Sequence, residues 1–235
     1  MVALFVVATI IVFLVADYFV QRAAKRKAAL SPVPTLAQKP RFIIPKGYFF
    51  GKGHTWVELL PDGSTRVGLD DFVQKILGPV GEIALVSSGE YVKRGDKLFL
   101  VRQEGKEMAF RAPVSGRVIA FNEELKHSPE AVRREPYRAG WIAMIEPTDI
   151  ATEIKQLSIG NDAALWLRDE IKRFRNFITE QVRALAPVGS PSLAGVTLMD
   201  GGIPVNDVME HSPQEIWRNF ENDFLASDNK AKTDF

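Results

Sequence analysis

The sequence predicts a mainly β protein, a compact sandwich or barrel with flanking helices, preceded by one N-terminal transmembrane helix. Three observations carry this prediction. From Gly47 to Glu146, short apolar and β-branched runs are punctuated by Pro61-Asp-Gly63, Ser88-Gly89, Arg94-Gly-Asp96 and Ser115-Gly116, the rhythm of a small all-β domain. From Asn161 to Leu185, the residues Leu167, Ile171, Phe174, Ile178, Val182 and Leu185 recur at three- and four-residue steps, the period of an amphipathic helix. Val2 to Val20 is an almost uninterrupted apolar run, broken by Asp17, and roughly 20 such residues span a bilayer as a helix.

In chain order, residues 1–22 read as a single-pass membrane anchor. Arg22, Lys25, Arg26 and Lys27 follow the apolar run at once, so the positive-inside rule places the bulk of the chain on the cytoplasmic side of an inner or plasma membrane. No basic residue precedes the run and no small-residue cleavage site follows it, which argues against a cleaved secretory signal. Asp17 reads as an interfacial carboxylate partnered by Arg22 or a neighbour. Residues 23–46 form a basic, proline-rich linker, with Pro32, Pro34, Pro40 and Pro45 favouring an extended spacer. Residues 47–150 are the β domain, and 151–186 an amphipathic helical extension. The other face of that helix carries Arg168, Lys172, Arg173, Arg175 and Arg183. It either caps the domain or lies on anionic lipid.

Residues 187–211 read as a second linker, and 212–227 as a capped C-terminal helix. Ser212-Pro-Gln-Glu215 has the order of a capping box, with proline at the first helical position. The helix carries Ile216, Trp217, Phe220, Phe224 and Leu225 on one stripe, which must be buried somewhere. It folds back on its own domain or docks into the groove of a protein partner. The linker before it isolates it, and the partner is the favoured expectation.

Composition narrows the chemistry. A net charge of +1 lacks the basic stripe of a nucleic-acid binder. The absence of cysteine removes disulfides, thiolate zinc sites and iron–sulfur ligation. The three histidines, at 54, 127 and 211, have no ligand-like spacing. Asp70-Asp71 reads as a helix start or turn. His127, Ser128 and Glu130 are too close in sequence to form a triad. Gly51-Lys-Gly53 and Gly201-Gly202 lack the strand–loop–helix setting of a phosphate loop. Trp56, Phe99 and Trp141 read as core residues. No enzyme active site emerges.

Four stretches resemble the glycine cleavage system H protein, a lipoyl-carrier family. They are Gly53-His-Thr-Trp-Val57; Thr65-Arg-Val-Gly-Leu-Asp-Asp71; Ala112-Pro-Val-Ser-Gly116 with Val118 and Asn122; and Ser128-Pro-Glu130 with Glu135-Pro-Tyr137 and Gly140-Trp141. The resemblance covers about 46–150 and implies a barrel–sandwich hybrid, the lipoyl-domain-like fold. It also implies a lysine at the tip of a β-hairpin that bears lipoate. In this family six residues separate the modified lysine from the following Ala-Pro. Six residues, 106–111, separate Gly105 from Ala112, so the position of the modified lysine falls on Gly105, and Lys106 has only five between.

Cross-strand pairing decides where the tip lies. With Glu104-Gly105 as the turn, Arg102 faces Glu107, Val101 faces Met108 and Phe99 faces Phe110. With Gly105-Lys106 as the turn, Glu104 faces Glu107, Gln103 faces Met108 and Leu100 faces Arg111. The first register pairs opposite charges and like apolar groups, an advantage of about 1–3 kcal/mol. A one-residue slip also turns the strand inside out, and glycine suits the positive φ of a tight hairpin turn. Similar strand–turn units at Val92–Leu98 and Ala112–Val118 flank the hairpin, with Gly95 and Gly116 expected to supply turn conformations.

The expectation is therefore a non-enzymatic, membrane-anchored subunit that scaffolds a protein complex, with no cofactor favoured. The alternative keeps lipoate: a membrane-tethered carrier that shuttles an aminomethyl, acyl or redox group on Lys106.

Overall fold

Seven antiparallel strands form the larger of the two main sheets, in a computed structural model that describes residues 42–85, 90–185, 199–200, 203–204 and 206–226. In spatial order they are β10 (Ser158–Ile159), β1 (Tyr48–Phe50), β2 (Thr55–Leu59), β3 (Thr65–Leu69), β9 (Trp141–Pro147), β8 (Gly116–Phe121) and β5 (Tyr91–Val92). The smaller sheet has the order β4 (Glu82–Leu85), β6 (Lys97–Gln103) and β7 (Lys106–Arg111). Among the described residues the α-helices are α1 (Asp71–Leu77), α2 (Ala131–Arg134), α3 (Ile150–Glu153), α4 (Gly160–Leu185) and α5 (Gln214–Phe220), the last continued by a π-helical turn over Glu221–Leu225.

Local chemistry explains the turns. The β2–β3 hairpin closes at Pro61-Asp-Gly63: Gly63 has φ +85°, and the Asp62 carboxylate accepts from the Ser64 N–H at 3.0 Å. Asp70 caps α1 by accepting from the Val73 N–H at 2.8 Å, so Asp70-Asp71 is a helix start. Gly95 has the expected positive φ, +90°. Gly116 does not, and its role differs from the turn expected of it. It sits inside β8, where a Cβ would lie 2.2 Å from the Glu146 carbonyl oxygen. Close approach of β9, and not a turn, requires glycine there.

The core lies between the sheets and under the helices. Val57, Val67 and Leu69 from the large sheet join Leu98, Phe99, Val101, Met108 and Phe110 from the small one, all fully buried. Phe99 and Phe110 stack with ring centroids 5.2 Å apart. Trp56 is likewise buried, and Gly68 on the neighbouring strand lets its indole lie flat, since a Cβ there would be 2.5 Å from the ring.

The amphipathic helix forms as its periodicity predicts. Leu167, Phe174 and Ile178 are buried, and Arg168, Lys172, Arg173, Arg175 and Arg183 are exposed; the side chains of Val182 and Leu185 lie outside the described set.

Further expectations change. The C-terminal helix does not present its stripe to a partner. Ile216, Trp217, Phe220, Phe224 and Leu225 are all buried in the chain's own core. Phe220 and Phe224 stack at 4.7 Å and meet Phe174 and Phe177 of α4 edge-on. The approach to α5 is also docked, although residues 187–211 read as a linker: the N–H groups of Asp207 and Met209 donate to the carbonyls of Lys75 and Ile76 at 2.7 and 2.8 Å. Those carbonyls belong to the last turn of α1, which has no intrahelical donors for them. A two-stranded ribbon, β11 (Met199–Asp200) with β12 (Ile203–Pro204), precedes this segment.

The capping box does not close. Helix α5 starts at Gln214 with no side-chain cap, because the Ser212 hydroxyl donates to the Val208 carbonyl at 3.1 Å instead.

The end of the proline-rich spacer is folded onto the domain: the Ile43 N–H donates to Asp71 at 2.7 Å, and its carbonyl accepts from Tyr137 at 2.8 Å. The apolar run 2–20 and the basic residues Arg22, Lys25, Arg26 and Lys27 lie outside the described residues, among which no helix is long and apolar enough to cross a membrane.

Candidate functional site

The β6–β7 hairpin places its turn at Glu104-Gly105. The pairs are Gln103–Lys106, Arg102–Glu107, Val101–Met108, Leu100–Ala109 and Phe99–Phe110. Glu104 has φ +49° and Gly105 +77°, two successive left-handed residues as in a type I′ turn. Lys106 is thus the first residue of the return strand, and the position at the tip is glycine. The flanking charges pair across the sheet surface. Arg102 reaches Glu82 at 3.3 Å and Glu107 at 3.4 Å; exposed contacts of this kind set register more than stability.

The Lys106 side chain does not project from the tip. Its ammonium donates to the carbonyl of Glu210, and to that of Ser212 at 3.4 Å. It also lies over the Trp217 indole, 5.1 Å from the ring centroid, a cation–π arrangement. Trp217 is held by its own bond, Nε1–H to the Met209 carbonyl at 2.9 Å. The Glu221 carboxylate then accepts the Ala109 N–H at 3.2 Å. Strand β7 is an edge strand, so this bond satisfies one of its outward donors, and the helix covers an edge that would otherwise be open to pairing.

Gly105 carries no amine, and the Lys106 amine is engaged by two carbonyls and an indole face. The contacts that Glu210, Ser212 and Glu221 make with the hairpin carry no sequence signal. Two of them act through backbone carbonyls, which carry no side-chain signature, and Glu221 acts on a strand edge whose exposure depends on the fold.

A second polar cluster lies in the core. His54 is fully buried, has φ +60°, and its Nδ1 is 2.7 Å from Asp70 Oδ2. Its ring sits 5.0 Å from that of Phe72 and 5.1 Å from that of Trp166. The pair ties the loop before β2 to the cap of α1. Nearby, the Tyr137 hydroxyl accepts from the Asp71 N–H at 3.0 Å. Burial, reinforced by the Asp70 carboxylate, pushes its phenol well above the usual tyrosine range. Among the described residues, no group of three or more His, Asp or Glu could hold a metal ion.

The other stretches that carry the resemblance are structural. Asn122 donates to the Ala139 and Trp141 carbonyls, each at 2.8 Å, and accepts from the Glu124 N–H. Gly140 approaches α2 so closely that a Cβ would meet Val132 Cα at 2.7 Å.

Comparison with known proteins finds relatives of one family. The family model for the glycine cleavage H-protein matches residues 48–170, just over half of the chain. The probable glycine cleavage system H protein of Pyrococcus furiosus is 40% identical over 125 residues, 53% of this chain and 92% of its own length. The glycine cleavage system H protein of Coprothermobacter proteolyticus is 38% identical over 106 residues, covering 45% of this chain and 84% of its own. A glycine cleavage system H protein from Mycobacterium marinum, known from its crystal structure, is 25% identical and aligns over 54% of this chain and 98% of its own, with a TM-score of 0.45. The segment that covers Lys106 lies beyond the matched region. On the sequence matches, the chain belongs to the glycine cleavage H-protein family.

Proposed function

We propose that this chain is a non-lipoylated, non-catalytic H-protein-like subunit that serves as a binding module for a protein complex at the cytoplasmic face of a membrane. The observation that carries the reading is the hairpin: glycine stands at the tip, and the neighbouring lysine is engaged by the chain's own C-terminal segment. The membrane tether is supported by the apolar run 2–20 and the basic cluster after it. With the C-terminal stripe buried, the surfaces left for a partner are those of the β domain and the outer face of α4.

Family membership favours a second reading, a tethered lipoyl carrier that shuttles an aminomethyl, acyl or redox group. Lys106 is one residue from the tip and half-buried, so release of the C-terminal segment would expose it. On this reading its partners are the enzymes of the glycine cleavage system, for which its relatives are named. Intact mass and peptide mapping across Arg102–Arg111, on protein purified from its own cells, separate the two. An unmodified peptide in cells that lipoylate other proteins is expected. A lipoyl increment on Lys106 replaces the first reading by the second.

A further inference from the structure

The covered amine of Lys106 raises the question of what would happen to it in the presence of an acyl donor. Acylation requires the neutral amine nitrogen to attack an activated carbonyl carbon. The N–C bond forms, the bond from carbon to the thiolate or oxyanion leaving group breaks, and a proton passes from nitrogen to solvent. That approach needs a clear path to the nitrogen. Here the path is blocked on several sides, by the carbonyls of Glu210 and Ser212 and by the Trp217 ring.

The covering residues are not a loose tail. Met209, Ile216, Trp217, Phe220, Phe224 and Leu225 are buried, and opening the segment would return all of this apolar surface to water. The Asp207 and Met209 N–H groups complete the C-terminal end of α1, Arg133 pairs with Asp207 at 2.5 Å, and Arg173 lies 4.1 Å over the Phe224 ring while donating to the Asp223 carbonyl. These ties are independent of Lys106, so the cover stays in place whatever the state of the lysine.

We infer that residues 206–226 are a built-in cover that closes the hairpin lysine to acyl transfer, so that any activated acyl donor reaches Lys106 only through the rare opened form. The inference rests on the reading of the hairpin given above and supplies its cause: the lysine stays unmodified because the chain shields it, in addition to its misplacement from the tip. The cover belongs to the part of the chain outside the family match, residues 48–170. A carrier fold with a lysine near its tip has thereby been closed by an appended segment.

The test is acetylation kinetics on the full chain, using the N-hydroxysuccinimide ester of acetic acid and reading each lysine by peptide mass. Lys52 and Lys97 are exposed and serve as internal standards. Lys106 is expected to react about tenfold or more slowly than either, in proportion to the small opened fraction. Glu221→Ala removes the acceptor that ties the cover to β7, one tie among several, and Trp217→Ala removes the indole. Glu221→Ala is expected to speed Lys106 several-fold and Trp217→Ala to bring its rate toward that of Lys52, while the standards keep theirs. If Trp217→Ala accelerates every lysine, the fold has opened globally and Glu221→Ala alone decides. A wild-type Lys106 as fast as Lys52, or a slow Lys106 that Glu221→Ala leaves unchanged, overturns the inference. The reagent needs no recognising enzyme, so this result is independent of whether the native protein is found lipoylated.

Discussion

The Lys106 ammonium lies 5.1 Å from the centroid of the Trp217 ring, across more than a hundred residues of sequence. That contact joins the β6–β7 hairpin to a helix that the family match does not include. It makes the lysine part of the packing of the C-terminal segment, and it makes that segment part of the domain.

Trp217 should therefore matter to the stability of the whole domain. Trp217→Ala leaves a large cavity and strands the Met209 carbonyl, and is expected to cost about 3–5 kcal/mol. Urea unfolding followed by circular dichroism checks this. A shift of under about 1 kcal/mol would mean that α5 is an appendage, since deleting an exposed contact rarely costs more.

The turn itself makes a prediction of opposite signs at adjacent positions. Glu104 is a non-glycine residue at φ +49°, so Glu104→Gly or Glu104→Asn should stabilise the domain, by about 0.5–1 kcal/mol at most. Gly105 is at φ +77° with open space around a Cβ, so Gly105→Ala should destabilise by about 1–2 kcal/mol through backbone strain alone. Urea midpoints for the two variants decide it. If both shift the same way, the turn lies elsewhere.

Alkaline pH should unfold the domain through Tyr137. Its phenol is raised above the unfolded value of about 10 by burial and by Asp70, so the folded state holds the proton that the unfolded state releases. Stability from this group is complete below about pH 10 and falls as pH rises through and beyond it. Tyr48 is displaced in the same direction, also first by burial, and adds to the slope. Unfolding free energies measured between pH 8 and pH 12 should bend downward near about pH 10, and Tyr137→Phe should flatten the bend. An unchanged slope in that variant would assign the alkaline limit to other groups.

The membrane tether is checked by fractionation. The full chain should remain with membranes after alkaline carbonate extraction, as a helix of roughly 20 apolar residues does. Release into the supernatant would remove the tether from the account.

Much of this was legible in the sequence, and the reasons are physical. The hairpin register could be read because β pairing is local: Arg102 with Glu107, Val101 with Met108 and Phe99 with Phe110 are each consistent with one turn and inconsistent with its neighbour. Helix α4 could be read because its apolar spacing is sustained from Leu167 to Ile178 and beyond. The destination of α5 could not, because an apolar stripe states that burial is needed and not where. A linker of unknown path gives no address, and the aromatic faces of Phe174 and Phe177 that receive the stripe are set by tertiary packing. The capping box failed for a similar reason: Ser212 has the right spacing to Glu215, but Val208 competes for its hydroxyl. The role of Gly116 is hidden from the sequence because the proximity of β9 to β8 is a tertiary fact.

The most direct test of the central claim is the mass of two chains, wild type and Gly105→Lys, produced in a host that lipoylates its own carrier proteins. Peptide mapping across the hairpin then shows which lysine is modified. The account predicts an unmodified wild type and a lipoyl increment on residue 105 of the variant, where the side chain stands at the tip with open space around it. A wild-type chain lipoylated on Lys106 contradicts it.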